Sequence, residues 1–414
     1  MIAIKFWNFM GPHPQKFLLK FISQCLYFLG GGDCWYEKKK LSLFARTTYF
    51  IWSVIANLYM ILVIVDEGLS FFGNELNVDE RNDLIRMVGA QFTIYLKITV
   101  FMIKRNRIKV VLKKLLEDNR DIYFSIIIDR ASVKKALIVI TMSTTYVYAS
   151  MILVIYSIRK VKIAEGLPPR VAVTYYPNSF STEIYIQVIR ILIECHWSYM
   201  VMFMCGLDAL CYCCFIFQEH KFKTLQEYFR GLEKMFVYTS KCKSRNETQE
   251  EIKKRIIAGI QVHESALWCA TNIQSALGNI YSIQVIQSMG LLVNAMIKLV
   301  TEERDESFLI TNMIFILAIV IVTGSYMIPA GDITWEANEL STAIYDCGWE
   351  LSKRKLNREL RTLLVVTIQR SQVPVYMTAF GVLTLSYANY ISWLKRRSFF
   401  FYVMYWSRKN SFHI

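Results

Sequence analysis

The sequence predicts an all-α integral membrane protein with seven transmembrane helices, a cytoplasmic N-terminus and an extracellular C-terminus. Its 414 residues are 54% hydrophobic with a mean hydropathy of +0.31. A soluble protein of this length has a lower mean hydropathy, because its surface must face water. Long apolar segments recur along the chain, and basic residues are concentrated in alternate connections between them. The net charge of +15 is therefore interpreted as cytoplasmic loops and not as a nucleic-acid-binding surface.

Seven segments approach the length of about 20 apolar residues that crosses roughly 30 Å of hydrocarbon. Spans one, three and six are predicted from their length, while spans two, four and seven depend partly on the pattern around them. In chain order the spans are predicted between Arg46 and Asp66, from Met87 to Ile103, between Lys135 and Arg159, near residues 187–217, between Glu264 and Lys298, over residues 307–331, and from near Val373 to Lys395.

The orientation follows from the charges of the connecting segments. Segments on the N-terminal side of the membrane hold 32 Lys and Arg residues, against 6 in the segments on the other side. Because basic loops are retained in the cytoplasm, the N-terminus is predicted to be cytoplasmic. The short outer segment 66–84 is acidic, which agrees. This orientation is opposite to that of a G-protein-coupled receptor, and no Asn-Pro motif ends the seventh span.

Charged and thiol side chains inside the spans are candidate functional groups. The long side chain of Lys97 is expected to extend to the cytoplasmic interface, about 10 Å away. Glu194 is expected to be structural or to face a pocket, too distant in depth to pair with Lys97. The cysteines of span four lack the spacing of a metal site and are expected to pack toward lipid, with palmitoylation as an alternative, namely Cys211, Cys213 and Cys214.

No enzyme active site can be assembled from these residues, because the five histidines are scattered. No cofactor is predicted, and the absence of an internal repeat disfavours a transporter. The amides of span five are interpreted as interhelical hydrogen-bonding groups or as the lining of a water-filled vestibule. Aromatic and methionine side chains cluster in the outer halves of spans two to four, where they form packing contacts or an apolar pocket for small volatile ligands.

A denser pattern lies in the C-terminal third of the chain. It comprises Asn338 to Leu340, Tyr345, Trp349, the run Arg370-Ser371-Gln372-x-Pro374, Thr378-Ala379, and Leu385-Ser386 to Leu394-Lys395. More diffuse features are Lys97 with the basic end of span two, LPPRVAVTYYP in the second outer loop, and His263 at the start of span five. Together these residues resemble the insect odorant receptor family over nearly the whole chain.

The resemblance implies an odorant receptor that binds small volatile hydrophobic ligands and, with a shared co-receptor in a heterotetramer, opens a non-selective cation channel. Its location would be the plasma membrane of olfactory sensory neurons, and its partners would be the co-receptor, the ligand and membrane lipid. A G-protein-coupled or gustatory-type chemoreceptor is the alternative. The implied organisation is a cytoplasmic segment 1–46, spans one to six over 47–330, a cytoplasmic anchor region 331–372, and a last pore helix with its tail over 373–414.

By depth in the membrane, the resemblance implies an outer pocket among spans two, three, four and six. Its candidate residues are Val88, Gln91, Phe92, Tyr95, Tyr146, Ser150, Ile191, Asn312 and Phe315. The register of the last span places a hydrophobic pore constriction near Val403. The sequence departs from the family after Lys395, where Arg396 and Arg397 follow. Three successive cations are unfavourable for cation conduction or for insertion into lipid.

Overall fold

The computed structural model describes residues 10–37, 42–73, 78–118, 121–164, 173–176, 183–242, 245–301, 306–348 and 358–395. Its helices are α1 Pro14–Phe28, α2 Leu43–Gly73, α3 Val78–Glu117, α4 Ile126–Ala164, α5 Ile184–Cys242, α6 Arg245–Thr301, α7 Glu306–Tyr345 and α8 Arg358–Ser371. Strands β1 Thr378–Ala379 and β2 Leu383–Thr384 pair antiparallel, and residues 387–395 are helical. The predicted all-α class is confirmed, with this hairpin the only sheet among the described residues.

Helices α2 to α7 are each long and apolar enough to cross a membrane, and they contain predicted spans one to six. Several are much longer than a bilayer requires. Helices α5 and α6 have 59 and 57 residues, which at 1.5 Å per residue is about 85 Å each, against roughly 30 Å of hydrocarbon. The charged ends of these helices therefore extend beyond the apolar layer.

Helix α5 is the centre of the bundle and contacts α1, α2, α3, α4, α6 and α7. In the most apolar segment of α5, 83% of the residues are buried, against 17% in that of α2. The exposed apolar side chains of α2 suit a lipid environment. The cysteines of span four are buried in this core, so the expectation that they pack toward lipid is wrong for Cys211, Cys213 and Cys214. Their burial depends on how α5 packs against its six neighbouring helices, and no local sequence pattern encodes that packing.

The segment before α2 folds back on α1 through a cluster of charges. The Glu37 carboxylate lies 2.7 Å from Lys16 Nζ and accepts hydrogen bonds from Lys20 Nζ and Trp35 Nε1. Hydrogen bonds from Lys16 and Trp35 lower the pKa of Glu37 to about 2. Helix α1 then packs on α4, where Gln15 donates to Ser132 Oγ at 2.7 Å.

An ion cluster joins three helices beyond the apolar layer. Lys135 Nζ of α4 lies 2.5 Å from both Glu219 Oε2 of α5 and Asp332 Oδ2 of α7. Lys223 Nζ also contacts Glu219 Oε1 at 2.8 Å and Glu336 Oε1 at 3.3 Å. Since the Glu219 side chain is only 1% exposed, these two cations supply the compensation that a buried carboxylate requires.

The seventh span does not begin near Val373, as the apolar run predicts. Helix α8 ends at Ser371, and residues 372–386 form a loop and the β1–β2 hairpin before the helix resumes at residue 387. Pro374 has no backbone N–H and disfavours helical geometry at Val373. Hydropathy alone could not detect this break, because the loop and hairpin are as apolar as a span.

Helix α6 holds the hairpin by hydrogen bonds to its backbone. Gln274 Oε1 accepts from the Thr378 N–H at 3.0 Å, and Ser282 Oγ accepts from the Phe380 N–H at 2.9 Å. Positive φ angles of 54° at Phe380 and 72° at Gly381 make the tight turn. The amides of span five are predicted to hydrogen-bond between helices. The Gln274 amide instead hydrogen-bonds between helix α6 and the hairpin.

Candidate functional site

An interhelical cavity of about 130 Å³ lies among α3, α4, α5, α6 and α7. Its walls are mostly aliphatic, with a few polar groups, and consist of Arg86, Met87, Ala90, Ile94, Val147, Ser150, Met151, Val154, Ile155, Trp197, Val201, Met204, Gln284, Gln287, Ser288, Leu291, Phe315, Ala318, Ile319 and Val322. In another protein an apolar cavity of about 150 Å³ binds benzene. The interhelical cavity therefore has the size and chemistry for a small apolar molecule.

A buried carboxylate fixes one aromatic wall of the cavity. Glu67 of α2 accepts hydrogen bonds from Trp197 Nε1 at 3.2 Å and from Gln91 Nε2 at 2.9 Å. Glu67 is fully buried, so the two donors satisfy a carboxylate that would otherwise be costly to bury. Trp197 thereby keeps a defined orientation against the cavity.

A second buried network lies beside Gln284, another cavity residue. Lys97 Nζ is 2.9 Å from Asp208 Oδ1 and hydrogen-bonds Gln284 Oε1. Tyr326 of α7 donates to the same Asp208 oxygen at 2.6 Å. Lys97 is fully buried, so the expectation that it reaches the cytoplasmic interface is wrong. Asp208 is 111 positions away in the chain, but it lies close enough to Lys97 to balance the lysine charge inside the bundle.

Helix α7 connects the cavity to the last described helix. Phe315, Ile319 and Val322 of α7 line the cavity, and the Val320 carbonyl accepts a hydrogen bond from Tyr390 Oη at 3.1 Å. A Cβ atom placed on Gly324 would lie 2.7 Å from that tyrosine oxygen. The glycine therefore allows the Tyr390 side chain to approach α7 closely, and α7 is in direct contact with residues 387–395.

The predicted ligand contacts are only partly brought together. Ser150 and Phe315 line the cavity, and Arg86 lies over the Phe315 ring at 5.6 Å. Phe92 and Ile191 are instead exposed, at 53% and 58%. Those two were assigned by depth alone, whereas each residue along a helix turns the side chain by about 100°.

The remaining candidates lie near the cavity without lining it. Gln91 does not line the cavity. Its side chain donates a hydrogen bond to Glu67, which is the partner of the wall residue Trp197. Asn312 is buried and donates to the Phe308 carbonyl at 3.0 Å. The partly buried candidates outside the wall are Val88, Tyr95 and Tyr146. Val403 lies outside the described residues, so the pore constriction stays a prediction.

Other site residues were missed or left open by the sequence. Glu194 pairs with Arg159, whereas Lys97 pairs with Asp208. Glu194 is not among the residues of the cavity wall. The α6 residues Gln284 and Gln287 line the cavity, although the implied pocket did not include span five. Their signal was present in the sequence as amides within an uncharged span.

These features define an α-helical multi-pass membrane protein with an internal apolar cavity. A family model described as 7tm Odorant receptor matches residues 77–396. The chain belongs to this odorant receptor family, as the sequence resemblance indicated. No curated protein sequence matches it significantly.

Solved structures of an insect olfactory receptor share the fold. The OR5 receptor from Machilis hrabei in complex with eugenol has a TM-score of 0.73 and 13% identity, covering 94% of this chain and 97% of that chain. The same receptor in a second structure has a TM-score of 0.71 and 14% identity, covering 93% and 96%. At this identity the similarity establishes the common architecture.

Proposed function

We propose that this chain is an odorant-gated cation channel subunit that binds small volatile hydrophobic ligands in the interhelical cavity. The observation that carries the proposal is the cavity itself, an apolar space of about 130 Å³ whose α7 wall also contacts the last helix. Membership of the odorant receptor family and a fold relative solved with eugenol support the ligand class.

Gating follows from differential affinity. A ligand that binds the open arrangement better than the closed one shifts the population by the ratio of its two affinities. Helix α7 forms one cavity wall, so its displacement moves the Tyr390 contact and the last helix. A hydrophobic constriction near Val403 then rewets, and the acidic outer loops raise the local cation concentration.

The conducting complex is proposed to be a heterotetramer with a shared co-receptor in the plasma membrane of olfactory sensory neurons. Ligand-evoked currents are expected when the chain is co-expressed with the co-receptor. Recordings from cells that express this chain alone, the co-receptor alone, or both provide the test. A current that persists unchanged without the co-receptor would reject the subunit model.

The cavity assignment is tested by filling it. Ala318→Phe adds a phenyl ring to the wall of a space close to the size that holds benzene, so ligand-evoked current and ligand binding are both expected to be lost. Leu317→Phe is the matched control, because the neighbouring side chain is 43% exposed and lies outside the cavity wall. Equal responses from the two variants would place the ligand elsewhere.

The orientation with a cytoplasmic N-terminus and an extracellular C-terminus is part of the proposal. It is supported by the 32 basic residues on one side against 6 on the other. An epitope tag at the C-terminus is expected to stain in intact cells, and a tag at the N-terminus only after permeabilisation. The reverse pattern would favour a G-protein-coupled receptor.

A further inference from the structure

One polar group at the interhelical cavity lacks a partner. Gln287 of α6 lines the cavity and is only 6% exposed. Its Nε2 lies 4.0 Å from Met204 Sδ. A thioether sulfur accepts hydrogen bonds and cannot donate them, so the NH₂ end of the amide belongs on that side. The Oε1 end has no hydrogen-bond partner among the described residues.

Arg86, the cation of the wall, lies over the Phe315 ring at 5.6 Å, and the other neutral polar groups have hydrogen-bond partners. Gln284 donates to Ser288 Oγ at 3.1 Å and accepts from Lys97. Ser150 Oγ donates to the Val147 carbonyl at 2.8 Å. Trp197 Nε1 donates to Glu67. Among the neutral groups of this wall, the unmet capacity is therefore a hydrogen-bond acceptor, and burying an acceptor without a donor is unfavourable.

We infer that Gln287 is a specificity-determining residue and that the preferred ligand is a small monohydroxyl compound, an alcohol or a phenol. The ligand O–H donates to Gln287 Oε1, while the hydrocarbon part occupies the aliphatic remainder of the cavity. Hydrocarbons, ethers and esters of the same shape fit the space but have no proton to donate. The inference rests on the proposed function of the cavity as the ligand site.

The size of the effect follows from a single neutral hydrogen bond. Such a bond changes affinity by about tenfold once the lost contact with water is included. The hydroxyl compound is therefore expected to bind about tenfold more tightly than its ether or hydrocarbon analogue. Loss of the acceptor removes this preference and leaves hydrocarbon binding intact.

The test uses the full chain in lipid nanodiscs and three probes that share a methyl-substituted benzene ring, 4-methylphenol, 4-methylanisole and toluene. Dissociation constants are measured by equilibrium dialysis for the wild type and for Gln287→Leu and Gln287→Met. Gln261→Leu is the matched control, because Gln261 lies on the same helix at an exposed position. Toluene binding by each variant reports an intact cavity.

The expected result is a tenfold preference for 4-methylphenol that is lost in both Gln287 variants and kept in the Gln261 variant. Equal binding of all three probes to the wild type would overturn the inference and leave the cavity function standing. A preference that survives in the Gln287 variants would also overturn it, as would tighter binding of 4-methylbenzoate, which would assign recognition to Arg86. Failure of the wild type to bind any probe would reject the proposed cavity function itself.

Discussion

Asp208→Ala is expected to lower the free energy of unfolding by about 3–5 kcal/mol, because it leaves the Lys97 cation buried without its counter-charge. The Lys97 ammonium is fully buried and the Asp208 side chain is 3% exposed, so water cannot replace the lost carboxylate. The same substitution removes the acceptor for the Tyr326 hydroxyl. Size-exclusion profiles of detergent-solubilised protein after stepwise heating report this loss as a lower midpoint temperature of unfolding.

The matched control is Lys109→Ala, which breaks the Lys109–Asp33 ion pair at 2.8 Å with side chains 30% and 51% exposed. An exposed pair contributes about 0–1 kcal/mol, so this variant is expected to resemble the wild type. The double variant Lys97→Met with Asp208→Leu is expected to recover much of the stability, because it buries no unpaired charge. Equal stability of the Asp208 and Lys109 variants would contradict the burial argument.

Gly324→Leu is expected to abolish ligand-evoked current while leaving ligand binding within about twofold of the wild type. The added side chain occupies the position of the Tyr390 hydroxyl, since even a Cβ atom there would lie 2.7 Å from it. The Tyr390 side chain must then move away from α7, and the contact proposed to transmit cavity movement is lost. Whole-cell recordings with the co-receptor, together with toluene binding in nanodiscs, measure the two effects separately.

Gly290→Leu is the control for this experiment. Gly290 lies on α6 at an exposed position where an added Cβ meets no atom within 4 Å. Its variant is expected to bind ligand and to conduct like the wild type. Normal currents from the Gly324 variant would show that the Tyr390 contact is dispensable for gating.

Most of the helical architecture could be predicted from the sequence. Hydropathy located the apolar centres of α2 to α7 because a lipid-facing helix needs a continuous apolar stretch. The boundaries were less accurate, since polar helix extensions such as the second half of α5 carry no span signal. The start of the last span was wrong because Pro374 and the contacts from Gln274 and Ser282 replace helix with a hairpin.

The candidate site was predicted only at the level of its helices. Spans two, three, four and six, which the resemblance implies as the pocket helices, line the cavity together with span five. Of the positions that depth predicts as ligand contacts, Ser150 and Phe315 line the cavity, whereas Phe92 and Ile191 are exposed. The rotation of each helix about its axis depends on its neighbours, so depth could not separate these cases.

The sequence by itself determined that this chain is a multi-span helical protein of the odorant receptor family, because apolar length and the C-terminal residue pattern are local properties. The tertiary structure alone decided that Lys97 pairs with Asp208 and that Gln287 lines the cavity with an unpartnered oxygen. These are contacts between residues far apart in the chain. Their energies depend on burial and on mutual geometry, which arise only when the helices pack.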